Sequence, residues 1–271
     1  MFDYALRFLR LQYEQCLDLV SGNDFYTLYA NEKWRHSLQV SGAGNYLLKR
    51  INFLKDKSEQ YIDMLKSAIL LHDVCRFSEI AQAFHGKKSY DHGVAAAKFL
   101  EYTPLFDDIR IRLSIKHHGH LMEDLYKDEE YQNLPQNLQN EVEKICFIIR
   151  DADKIANLNL FTHEEEYRIL FFGYDNYRHP QYGKISEEIR KHSDEVETLP
   201  RFANASVADR LAGLVSWYLD INYAYSLDYC TKTNSTDIIF KMFTDLCQDK
   251  EFAEHYSDFV LNYLQNHEFL R

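Results

Sequence analysis

The segment Ser67–Phe77, SAILLHDVCRF, constrains this chain more than any other. Leu65, Ala68, Ile69, Leu70 and Leu71 form an apolar helical run of the kind that is buried rather than solvated. The run ends in His72-Asp73, with Arg76 shortly after. An imidazole and a carboxylate are costly to bury unless other groups satisfy them. Any fold of this chain must therefore bring partners to the end of this helix. A divalent metal would use both side chains, since imidazole nitrogen and carboxylate oxygen are ordinary ligands.

With 9 Gly and 4 Pro in 271 residues, long uninterrupted helices are expected rather than hairpins. Phe2, Leu6, Leu9, Tyr13, Leu17 and Val20 repeat at helical spacing, and Ser21-Gly22-Asn23-Asp24 interrupts the stripe. A second helix is expected from an N-cap at Asn31 through Ile51, its Gly42 and Gly44 marking a close neighbour. Ser58 is placed to cap the helix that ends in the doublet, and Asp91 to cap DHGVAAAKFLEY. Asp107 and Asp108 open FDDIRIRLSIKHHG, with Gly119 at C′. A polar loop is expected up to Pro135, then a long helix through Leu138, Val142, Ile145, Ile148, Ile149, Ala152 and Ile155. Further helical segments follow, joined by proline-containing connections. The 20 Tyr and 18 Phe imply a bulky interior. No repeat or long linker divides the chain. The expectation is one all-α domain over 1–271, a core at about 30–160 and a helical extension at about 161–271.

A net charge of −11 argues against nucleic-acid polymers as partners, because their recognition requires many phosphate-neutralising cations. A small phosphorylated ligand held by a few local cations is compatible with it. Five Cys without C-x-x-C spacing read as reduced, mostly buried thiols. The charged N-terminal stretch has no signal-peptide core and no run approaches a membrane span, so a cytoplasmic protein is expected. A homo-oligomer is as compatible with these features as a monomer.

Partners for the doublet occur at regular intervals. His36 lies in EKWRHSLQV, His92 follows Asp91, His117-His118 ends a helix, and Asp151 sits within the apolar stretch FIIRDADKIANL. A helical bundle can point such side chains at one metal cluster. In this order, H…HD…H…H…D, the sequence resembles the HD-domain superfamily of metal-dependent phosphohydrolases, all-α bundles defined by an H…HD…D quartet. HDVCRF, YDHGVAAAKFL, IKHHG and IIRDADKIANL resemble, more narrowly, an uncharacterised bacterial group within it. The resemblance covers at least residues 34–158 and extends loosely through ASVADRLAGLVSWYLDINYAYS.

The resemblance implies that His36, His72, Asp73 and Asp151 bind a first metal, with His92 and His117 available for a second. It leaves the choice between His117 and His118 open. One or two divalent ions are implied, of Mn, Fe, Mg, Co, Ni or Zn. Arg76, Lys154 and His118 are expected to face substrate, with Asp73 and Lys154 in catalysis and Asp153, on a different helix face from Asp151, in a structural role. The implied function is hydrolysis of a small phosphate ester, a nucleotide or related phosphometabolite. The same ligand order is similar to HD-type di-iron oxygenases, and a non-catalytic nucleotide sensor is the third expectation.

Overall fold

The computed structural model describes residues 1–88, 90–172, 183–200 and 205–271. Among these residues the protein is all-α, with no strand and a single isolated bridge between Tyr223 and Leu270. Two compact units are formed, Met1–Ala156 and Asn157–Arg271, where the sequence suggests one domain with a boundary near 160. The connections expected at 173–182 and at 201–204 lie outside the described residues.

In the first unit, α1 (Phe2–Leu19) packs on α3 (Glu59–Leu71) and α4 (Arg76–Phe84). Helix α2 begins at Asp24, not near Asn31, and runs to Leu48. The side chain of Asn23 accepts from the Tyr26 amide at 3.1 Å and so caps it. The break at 21–24 was legible, but Asn31 lies in mid-helix because Asn23 already satisfies the free N–H groups. Ser58 caps α3 through the Tyr61 amide at 3.2 Å, as its position predicts. Asp91 caps α5 (His92–Glu101) through the Val94 amide, and Asp108 caps α6 (Ile109–His117) through the Arg110 amide. The stretch before Pro135 is not simply loop. It holds two short helices, α7 (Met122–Tyr126) and α8 (Glu129–Gln132). Their Leu125 and Tyr131 pack with Leu113, Val142 and Cys146, which explains why a largely polar sequence is ordered there.

Two glycines set helix spacings that matter for the site. A Cβ on Gly44 would lie 2.7 Å from the Ile69 side chain, so α2 and α3 approach more closely than a larger residue allows without a shift of Ile69. A Cβ on Gly93 would lie 2.7 Å from the Lys116 carbonyl oxygen, which holds α5 equally tight to α6. The first contact brings His36 toward His72, and the second brings His92 toward the end of α6. The long α9 (Gln136–His163) buries Val142, Ile145, Ile148, Ile149, Ala152 and Ile155. Ser114 donates to its Val142 carbonyl at 3.1 Å.

The second unit contains α10 (Glu165–Phe172), α11 (Glu187–His192), α12 (Val207–Ser216), α13 (Ala224–Lys232), α14 (Ser235–Leu246) and α15 (Lys250–Asn266). Helix α12 starts with a reciprocal capping box between Ser206 and Asp209. It packs on α14 and α15 around Tyr218, Phe243 and Tyr256, which are fully buried. All five Cys are free thiols, and four are buried. No helix among the described residues is long and apolar enough to cross a membrane.

Candidate metal centre

The end of α3 is where the first unit gathers its buried ionisable groups. His72 is the C-cap of α3 and is fully buried. Its Nδ1 donates to the Ile69 carbonyl at 2.9 Å, which leaves the lone pair on Nε2 aimed away from the helix. His118, the C-cap of α6, does the same through the Ile115 carbonyl at 2.7 Å. A carbonyl near each helix end thus fixes the tautomer in which Nε2 accepts.

Asp73 lies between the rings and presents one oxygen to each side. Its Oδ2 is 3.6 Å from His36 Nε2 and 3.8 Å from His72 Nε2. Its Oδ1 is 3.1 Å from His92 Nε2 and 3.6 Å from His118 Nε2. A second carboxylate completes the group, with Asp153 Oδ1 at 3.0 Å from His36 Nε2 and 3.6 Å from His72 Nε2. Three overlapping trios have ligand atoms within 4.8 Å of one another: His36-His72-Asp73, His72-His118-Asp153 and Asp73-His92-His118.

Two cations border the cluster. Lys33 Nζ is 3.4 Å from Asp73 Oδ2, and Arg76 Nε is 3.5 Å from Asp73 Oδ1. Arg76 also pairs with Glu79 at 2.7 Å. Burial opposes ionisation of Asp73, but Lys33, His72 and Arg76 hold its carboxyl well below the usual range. Asp153 is likewise held low against burial, by His36 and His72. Burial, helped by Lys33, pushes His36 down to about 4 against the pull of Asp153 and Asp73. His118 is lowered by burial, whereas for His72 the neighbouring Asp73 and Asp153 more than offset burial and raise it.

Hydrogen bonding does not satisfy this group. Both nitrogens of His36, Nε2 of His72 and Oδ1 of Asp73 are buried and meet no neighbour in full hydrogen-bond geometry, although oppositely charged groups stand as near as 3.0 Å. Each such atom costs about 1–3 kcal/mol when left unpaired. Four imidazole nitrogens and two carboxylates are a fitting donor set for a divalent ion, by charge and by softness. The residues therefore fit a divalent metal ion.

Of the expected ligands, the structure brings together His36, His72, Asp73 and His92. It brings in His118 rather than His117, and Asp153 rather than Asp151. His117 Nε2 meets Asp128 Oδ2 at 2.7 Å, next to Lys116 on the same carboxylate at 2.6 Å, so its ring serves a half-buried ion pair. Helix α6 ends at His117, and His118 at its cap position turns inward while Asp128 takes the His117 ring. Asp151 is fully buried with interactions of its own, and Asp153, two residues on, carries the oxygen that meets His36 and His72. Two residues are about 200° of helix rotation, so only one of the pair can face α2 and α3. Lys154 is half-buried beside Asp153 and has its own interactions.

Sequence reasoning did not single out Lys33, although it precedes His36 by three residues and so shares its helix face. Nor did it single out Arg150. That buried guanidinium donates to the carbonyls of His117, His118 and His120, and thereby holds the turn that presents His118. A cleft of about 220 Å³ opens onto the His92 and His118 side, where Arg76, Lys116 and His120 also line it.

Comparison of the chain with protein-family profiles, with curated proteins and with solved structures returns no match.

Proposed function

We propose that the protein is a metal-dependent phosphohydrolase of the HD type, acting on a small phosphate ester such as a nucleotide or related phosphometabolite. The observation that carries the reading is the arrangement around Asp73. Its two oxygens face different pairs of imidazoles, so one carboxylate can bridge two ion positions. The chain order of the converging residues is His36, His72-Asp73, His92, His118, Asp153, the H…HD…H…H…D pattern that marks the resemblance.

His36, His72, Asp73 and Asp153 would hold one ion, and Asp73, His92 and His118 the other. A divalent ion there supplies Lewis acidity, polarising a phosphoryl group and acidifying water. Arg76 reaches from Asp73 into the cleft and offers a planar, permanently charged fork to phosphoryl oxygens. Lys116 and His120 also line the cleft. A cleft of about 220 Å³ has room for a phosphoryl group and its nearest atoms, and the net charge of −11 favours small esters over nucleic-acid polymers.

Elemental analysis of the purified protein, then a phosphoester screen across Mn, Fe, Co, Ni, Zn and Mg, tests the reading. Phosphate release that His36→Ala and Asp73→Ala abolish while the fold persists is the expected result. Release that survives both substitutions would overturn it. The same six ligands would suit an HD-type di-iron oxygenase, and for that reading the bridging position of Asp73 is again the favouring observation. Two irons together with substrate-dependent oxygen consumption would identify that alternative. The flanking cations Lys33 and Arg76 favour the phosphoryl reading, because oxygenation of a neutral substrate has no use for them.

A further inference from the structure

Lys33 is placed by α2 with its Nζ 3.4 Å from Asp73 Oδ2, the oxygen that also faces His36 and His72. Its side chain is 17% exposed, beside an Asp73 side chain at 5%, so it sits at the edge of the cluster and not in sealed core. Arg76, on the other oxygen, has Glu79 as a second acidic partner at 2.7 Å. Among the described residues, the ion pair of Lys33 is with Asp73. An ion held by Asp73 and the imidazoles would therefore compete with Lys33 for the same carboxylate oxygen. Once that oxygen is taken, Lys33 faces a divalent charge across a short distance and needs an anion.

We propose that Lys33 is a reserve phosphoryl-binding cation: it neutralises Asp73 until a divalent ion takes that carboxylate, and then binds the anion seated beside the ion. The inference rests on reading the His/Asp cluster as a metal centre. It separates Lys33 from Arg76, whose guanidinium keeps Glu79 in either state. It also makes the order of binding thermodynamic: metal first frees the cation, and the phosphoryl group then takes it up. A lysine that served only to stabilise the helix packing would have no such alternation.

The test is calorimetric titration of wild type, Lys33→Met and Lys33→Arg with Mn²⁺, then of each Mn²⁺-loaded protein with inorganic phosphate. Removing a competing cation should tighten Mn²⁺ binding by Lys33→Met, on the order of tenfold, while loosening phosphate by tenfold or more. Lys33→Arg should restore phosphate binding. These opposite signs are the diagnostic. Weakening of both ligands would show a merely structural lysine and overturn the proposal, as would unchanged phosphate affinity. Wild-type protein that binds no Mn²⁺ or other divalent ion would remove the metal reading and this inference with it. Wild type that binds both ligands but hydrolyses no ester would sink the hydrolase reading alone, since the two binding arms need no turnover. Unchanged melting of the metal-free variants confirms that the comparison is made on folded protein.

Discussion

The two sides of Asp73 are built differently. On the α2–α3 side, His36 and His72 are 1% and 0% exposed, and their partner carboxylate, Asp153, comes from the central helix α9. On the α5–α6 side, His92 is 16% exposed and stands in the wall of an open cleft with His118. The two imidazoles of the first side are sealed, while Lys33 and Asp153 at its edge are 17% and 23% exposed. The second side opens on the cleft. Burial pushes His36 down to about 4, whereas Asp73 and Asp153 offset burial at His72 and raise it. Asp73 thus stands between a deeply buried pair of imidazoles and a pair that meets a cleft.

Substitutions at the bridge and at its edges should break this division most visibly. Asp73→Ala should remove both ions, a loss well beyond the 10–100-fold typical of groups that only orient ligands. His92→Ala should remove one equivalent and leave the sealed side loaded. Metal-to-protein ratios after dialysis decide the point, and equal loss in both variants would mean there is only one position.

The choice of carboxylate on α9 gives the next largest effect. Asp153→Asn should weaken metal binding by at least about 100-fold. Asp151→Asn should leave binding intact, its cost appearing in thermal stability as a buried carboxylate loses its interactions. If metal affinity instead falls in Asp151→Asn and not in Asp153→Asn, the sealed side is wrongly assembled.

The two spacing glycines probe the same contrast. Gly93→Ala drives a Cβ into a backbone carbonyl, which cannot step aside, so a loss of about 1–3 kcal/mol is expected in denaturant melts. Gly44→Ala meets the side chain of Ile69, which can shift, so its cost should be smaller. Equal costs would show that both helix pairs yield alike.

The smallest effect concerns Asp128, the partner that draws His117 away from the centre. Burial raises its carboxyl, but Lys116 and His117 pull it down to about 2, from an ordinary 3.8. Because the folded form is the stronger acid, the stabilisation is complete above about 3.8 and disappears as pH falls through about 2. Wild type should therefore lose stability in that window more steeply than Asp128→Asn, by of the order of 1 kcal/mol or less. Parallel acid melts would count against this ion pair.

Much of the architecture could be read from local signals. The stripe on α1, the caps at Ser58, Asp91 and Asp108, and the apolar run into His72-Asp73 each depend on neighbours a few residues away, and each was legible. The short helices α7 and α8 were not, because their order comes from Leu125 and Tyr131 reaching the distant Val142 and Cys146. The correct start of α2 was obscured by two plausible caps, of which only Asn23 has a free helix end to serve.

For the site, chemistry was local and geometry was not. The sequence by itself determined that an imidazole and a carboxylate would end a buried helix, and that more of both would follow at helix ends and inside α9. It could not choose Asp153 over Asp151, because α9 is buried on more than one face and polarity offers no cue to the inward side. It could not choose His118 over His117, because adjacent rings at a helix end diverge only when a partner such as Asp128 captures one of them. Tertiary structure decided both, since direction around a helix is fixed by the neighbours against which it packs.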